Sequence, residues 1–168
     1  MPSLYLIRHG IAVEREAYAE DRDRPLTAEG QQKTTQVAKR LHNLGLRFDR
    51  LQASPLIRAQ QTAALFGEIF ERCPIETSEQ LAPNGDFNLW RSQTMQWLSQ
   101  HPQPAKASLG IIGHEPDLTT WAETLIWGES KGALVLKKAG IIGLSLPDTE
   151  PWIGNGILFL SIPPKLLI

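Results

Sequence analysis

The chain has 168 residues, 42% hydrophobic and 21% charged, a balance that excludes intrinsic disorder and fits a folded domain large enough for a sizeable core. The formal net charge is −1, so no general field draws the chain to nucleic acid or an anionic membrane, and each arginine must be weighed where it stands. One cysteine, Cys73, excludes an internal disulfide, fits a reducing compartment and lacks partners for a metal site.

Residues 3–7 are short and rich in Leu, Ile and Tyr and read as a buried strand running into Arg8, His9 and Gly10. The mixed-charge stretch VEREAYAEDRDRP reads as a solvated loop or short exposed helix. Thr27 is a natural helix N-cap with Glu29 in the first turn, and Val37, Leu41 and Leu44 follow at helical spacing up to a stop at Gly45. Residues 48–54 predict a second strand. Ser54 and Pro55 then look like an N-cap and a first helical position, opening a helix that runs to about Phe70. A short edge strand and loop follow Pro74. Asp86 caps a helix to about Ser99, with Phe87, Trp90, Trp97 and Leu98 on its apolar side.

The run ASLGIIGHEPDL repeats the opening pattern: Leu109 to Ile112 are apolar, then Gly113 and His114. Pro116 sits where it can start a helix carrying Leu118, Trp121, Ala122 and Leu125. Two apolar runs, 140–147 and 156–162, read as a closing hairpin, and the second is too short and too near Pro163-Pro164 to cross a bilayer. Trp90, Trp97, Trp121 and Trp127 are expected in the core, and Trp152 in an exposed loop. No secretory signal, linker or repeat is visible, so one domain over residues 1–168 and a cytoplasmic location are expected. The element order predicts an α/β fold: a three-layer sandwich with a mostly parallel central sheet, an antiparallel edge and helices on both faces.

In such sheets ligands bind beyond the carboxyl ends of strands. Arg8, His9 and His114 each follow or end a strand, and Arg58 lies on the helix after the second. Two guanidinium and two imidazole groups in one cup repel one another, so an anion must normally fill it. Phosphoryl oxygens match a forked guanidinium. One neutral imidazole can attack phosphorus, and a second, protonated, can stabilise the transferring group. His9, beside a tight glycine turn, is the better nucleophile: a backbone carbonyl on one ring nitrogen leaves the other free.

LIRHG, RPLTAEG (24–30), SPLIRAQQT (54–62) and IIGHEP (111–116) occur in the order of the histidine phosphatase, or phosphoglycerate mutase-like, superfamily, which the chain resembles from residue 3 to about 125. The short chain and the RPLT form look most like the SixA branch of phosphohistidine phosphatases. The resemblance implies a phosphorylated nucleophile at His9, a phosphate pocket of Arg8, Arg58 and His114, and Arg24 near the site. It also implies that no cofactor is needed and that phosphate or sulfate occupies the pocket. A phosphorylated protein such as a histidine-containing phosphotransfer domain is the expected partner, in signal transduction, with no nucleic acid and no membrane.

Many members of the superfamily also supply an acid to the leaving oxygen. Glu79, Asp86, Glu115, Asp21 and Asp23 are the candidates by position, though each also reads as a solvated carboxylate or a helix cap. A phosphoramidate depends less on such an acid, because its imidazole can be protonated before it leaves. The alternatives are a small-molecule phosphomonoesterase or mutase, and a noncatalytic phosphoprotein-binding module. A metal site through His9 and His114 lacks a third ligand and faces an adjacent arginine.

Overall fold

The computed structural model describes residues 1–168. Strands β1 (Ser3–Arg8), β2 (Arg50–Ala53), β3 (Ile75–Thr77), β4 (Ser108–Gly113), β5 (Ile141–Ser145) and β6 (Ile157–Ile162) form one sheet in the order β3-β2-β4-β1-β5-β6. β1 is parallel to β4, β4 to β2 and β2 to β3, whereas β5 is antiparallel to β1 and to β6. Helices α1 (Ala28–Asn43), α2 (Ile57–Ile69), α3 (Phe87–Gln100) and α4 (Asp117–Trp127) complete the α/β sandwich. No helix is long and apolar enough to cross a membrane.

Side-chain alternation divides the core into two layers. Leu4, Leu6, Leu109, Ile111, Ile142 and Leu144 pack with Trp90 of α3 and Leu118, Trp121 and Leu125 of α4. Ile7, Leu51, Ala53, Ile112 and Ile141 pack with Val37 and Leu41 of α1 and Ala59 and Phe66 of α2 on the other side. The helices therefore sandwich a sheet whose strands β1, β4 and β2 end together: Arg8 pairs with Gly113 and Ala53 with Ile112. The ladder continues one residue further, since His9 N–H donates to the Gly113 carbonyl (3.1 Å) and Ser54 N–H to that of Ile112 (2.9 Å).

That extra ladder bond corrects the expected start of α2. Ser54 belongs to the strand exit, Leu56 occupies the N-cap position without a side-chain cap, and the helix starts at Ile57. Pro116 likewise precedes α4 instead of opening it. The other caps are as the residue types predict. Thr27 accepts from Gly30 N–H (2.9 Å), Asp86 from Leu89 N–H (2.9 Å), and Gly45 leaves α1 at φ +92°. Leu44 lies beyond the last turn of α1 and is exposed.

Two tryptophans depart from expectation in opposite directions. Trp152 is buried in the α3/α4 layer, its indole N–H donating to the Pro147 carbonyl (3.1 Å). Trp127, in the last residue of α4, is exposed, because the helix ends there in a left-handed Gly128. Neither outcome is local: a loop folds back over the core in one case and the core stops in the other.

The segment 128–140 carries no regular structure and is held by a buried carboxylate. Glu123 of α4 accepts from the Ser130 hydroxyl and from the N–H groups of Lys131, Gly132, Ala133 and Leu134. Those donors, led by Leu134 N–H, outweigh the effect of burial and hold its pKa down at about 2.

Close approach explains two motif glycines. A Cβ on Gly10 would lie 2.3 Å from Thr34 Oγ1, and one on Gly30 would lie 2.0 Å from the Ile11 carbonyl oxygen. The second clash is with backbone, which a rotamer change cannot relieve. Gly30→Ala should therefore destabilise the fold by about 1–3 kcal/mol or more, read from the midpoint of urea unfolding.

Candidate active site

Two strand exits and one helix bring the predicted residues together. His9 follows β1, His114 follows β4, and their ring centroids are 5.1 Å apart. Arg58, in the first turn of α2, donates from Nε to His9 Nε2 (3.2 Å). All three side chains are buried. Arg8, half-buried at the end of β1, donates from Nη1 to the Leu136 carbonyl (3.0 Å); its charge is felt at both imidazoles.

The partners assign the ring tautomers. His9 Nδ1 lies 2.7 Å from the Gly10 carbonyl oxygen, an acceptor only, so Nδ1 carries the proton and Nε2 keeps its lone pair. Ser54 Oγ accepts from Leu56 N–H (3.3 Å) and lies 2.7 Å from His114 Nε2. A hydroxyl donating to Nε2 makes His114 Nδ1 the protonated nitrogen. That atom is buried and has no protein partner, so it is the donor the site can offer to an anion.

Burial disfavours the charged form of both rings. His9 is pushed down to about 3, by desolvation first, with His114, Arg58 and Arg8 adding to it against the Gly10 hydrogen bond. His114 is pushed down to about 4 by desolvation and the nearby guanidinium groups, Arg58 foremost. Both rings are thus neutral near pH 7. That suits a nucleophile and differs from the expectation of a protonated second imidazole. The guanidinium groups outweigh the one nearby carboxylate, Asp21, which acts on His114 in the opposite sense.

The sequence reading named Asp21 only as one candidate acid by position and did not foresee it as the carboxylate that holds this cluster. Asp21, in a short 3-10 turn (Asp21–Asp23) of the mixed-charge loop, accepts from Arg58 Nη2 through Oδ2 (3.0 Å) and from Arg24 Nε through Oδ1 (2.9 Å). Its backbone carbonyl accepts from Arg58 Nη1 (2.9 Å). Burial would raise the Asp21 pKa, but its hydrogen bonds to the two guanidinium groups, and their charges, outweigh it and hold the carboxyl below its ordinary range. Arg24, half-buried, also donates to the Val13 carbonyl (2.8 Å). The loop is largely exposed as expected, yet these two residues turn inward.

Of the other candidate acids, Glu79 and Asp23 are exposed, and Asp86 caps α3. Glu115 is half-buried and accepts from Thr119 N–H (3.1 Å) and its hydroxyl (2.7 Å). Burial raises its pKa against those bonds and against the charge of Arg8. Burial likewise pushes the Cys73 thiol up to about 11, away from thiolate chemistry. No group of three or more His, Cys, Asp or Glu converges to hold a metal ion.

The remaining motif residues act on geometry. Thr62 Oγ1 accepts from Gly10 N–H (3.1 Å) and donates to the Arg58 carbonyl (2.8 Å). Gln61 accepts from Leu26 N–H (2.7 Å), and Gln60 donates to the Ser54 carbonyl (2.7 Å). Their spacing within SPLIRAQQT was visible; what each one tied was not.

The model of the histidine phosphatase superfamily (branch 1) matches residues 4–124 of the chain. The chain belongs to this superfamily. An uncharacterized protein of Picosynechococcus sp. is 44% identical to it over 166 residues, 98% of each chain. The fold is also that of the protein histidine phosphatase SixA complexed with tungstate, with a TM-score of 0.84 at 25% identity over 99% of both chains. A phosphoserine phosphatase of Entamoeba histolytica, in complex with 3-phosphoglyceric acid, shares the fold with a TM-score of 0.67 at 19% identity over 100% of both chains. Chains of this fold thus include ones named for protein and for small-molecule phosphates.

Because folding lowers the proton affinity of both rings, the unfolded chain takes up protons that the folded chain refuses as the pH drops below about 6.5. Stability should therefore fall with acidification from that point toward the folded values of about 3 and 4. Nitrogen-15 NMR of the rings should show no titration of His9 or His114 between about pH 5 and 8.

Proposed function

We propose that this superfamily phosphatase hydrolyses phosphohistidine on a protein through a covalent intermediate on His9, without a metal. The observation that carries the reading is the His9 ring: Nδ1 is tied to the Gly10 carbonyl and Nε2 faces Arg58 as a neutral nucleophile. The likeness to SixA supports the substrate class.

In the first step the Nε2 lone pair forms a bond to phosphorus. The phosphorus–nitrogen bond of the substrate breaks, its electron pair stays on the departing imidazole, and a proton from solvent neutralises it. In the second step water attacks the phosphoryl group on His9, the electron pair returns to Nε2, and phosphate leaves with the water-derived oxygen. Arg58 and Arg8 supply forked cationic donors, Arg24 adds charge through the Asp21 contact, and His114 offers Nδ1–H to a phosphoryl oxygen. A bound phosphoryl dianion favours protonation of His114, opposing the guanidinium groups that hold it neutral. The phosphoryl group must also compete with Asp21 for Arg58, which sets its oxygens between the guanidinium and the imidazoles.

Purified His9→Ala should lose turnover of a phosphorylated histidine-containing transfer domain by at least ~10³-fold while keeping its circular dichroism spectrum. Wild-type activity should persist in chelator, and acid-labile phosphate should be trapped on His9 during brief incubation. Faster turnover of small phosphate monoesters by orders of magnitude would overturn the substrate assignment.

Glu115 favours a second reading, a small-molecule phosphomonoesterase. It is half-buried and burial raises its pKa, and an alkyl leaving oxygen needs a proton where a protonated imidazole does not. Glu115→Gln should leave kcat/KM on phosphohistidine within about twofold under the first reading. A loss of ~10²-fold on alkyl phosphates, with those as the faster substrates, would establish the second.

A further inference from the structure

Next to the cup lies a cationic cavity of about 340 Å³, which Arg8, Lys33, Lys137 and Lys138 line without any carboxylate. It shares Lys137 and Pro164 with a second cavity of about 420 Å³ that reaches Lys165 under Val135. Together they form a trench that starts at the residue before His9 and carries five cations. The chain as a whole has a net charge of −1, so this clustering is no spill-over of a general excess. Lys33 is tied to Glu29 (2.6 Å), but Lys137, Lys138 and Lys165 form no ion pair.

The trench wall is built into the fold. Lys137 and Lys138 lie on the segment that Glu123 fastens through residues 130–134. The same segment is pinned to the nucleophile strand: Leu136 accepts from Arg8, and Ala139 N–H donates to the carbonyls of Arg8 (3.0 Å) and His9 (3.1 Å). Its lysines are therefore held at a set offset from the reacting ring.

We propose that this trench receives an acidic segment of the protein that presents the phosphohistidine, a step that rests on the phosphoprotein reading above. Three features favour a polypeptide over a second inorganic anion. Two adjoining cavities span more than one phosphate can bridge. The outer cavity adds Val135 (67% exposed) and Pro163, apolar contacts that a free anion cannot use. Ammonium groups on flexible stems steer and register an acidic surface, whereas tight capture of one oxyanion calls for forked guanidinium groups.

The test is Lys137→Glu/Lys138→Glu, neither residue being part of the cup. Binding of a fluorescent deca-glutamate peptide is followed by anisotropy at low and at physiological salt, beside kcat/KM on a phosphohistidine protein and on phosphoramidate. Wild type should bind the peptide in a salt-sensitive manner. The double variant should lose at least ~10-fold in peptide affinity and in kcat/KM on the protein, and stay within about twofold on phosphoramidate. Peptide binding lost in the variant while neither enzyme hydrolyses the phosphoprotein would uphold the trench and remove the phosphoprotein reading. Equal phosphoprotein turnover by both, or inorganic phosphate binding that depends on the lysines without peptide binding, would overturn the trench.

Discussion

Arg58 is 4% exposed, and a guanidinium taken that far from water must find acceptors. It finds three: His9 Nε2, the Asp21 carboxylate and the Asp21 carbonyl. Every other feature of the site follows from that demand. Asp21 is drawn inward from a charged loop, Arg24 is drawn in after it, and His9 must present a lone pair instead of a second positive charge. Stripping a partner from a fully buried pair costs about 3–5 kcal/mol, whereas an exposed pair contributes about 0–1 kcal/mol. The Asp21 side chain is 40% exposed, so the contact lies between those limits.

The sheet meets the same demand from below. Parallel strands end in register, so residues far apart in sequence arrive at one edge with their directions already set. His9, Ser54 and His114 each stand one step past a ladder, and two of them extend it by a backbone bond. The Ser54 hydroxyl settles the ring of His114 as the Gly10 carbonyl settles that of His9. Two neighbouring imidazoles thus both carry their proton on Nδ1, one through a carbonyl that accepts there and the other through a hydroxyl that donates to Nε2, groups that carry no charge.

Much of this was legible in the chain. Short apolar runs named the strands, and the same runs ended in the residues that do chemistry. Thr27 and Asp86 were correct as caps because capping is a local contest between one oxygen and a nearby N–H. Ser54 and Pro55 were misread for the same reason: locally they resemble a helix start, but a ladder bond to Ile112 keeps Ser54 on the strand. Asp21 left no trace in any period or spacing, being one acid among several in a loop of mixed charge. Trp152 was lost because its burial depends on a connection folding back across a distant helix layer.

One turn and a half of α2 carries Arg58, Gln61 and Thr62, and these reach the cup, the Leu26 turn and the Gly10 turn respectively. Fraying at that end of the helix would release all three tethers in a single cooperative event, so reactive geometry and local rigidity rise and fall as one. A polar residue there can silence the enzyme without ever approaching phosphorus, and its loss would mimic that of a chemical participant.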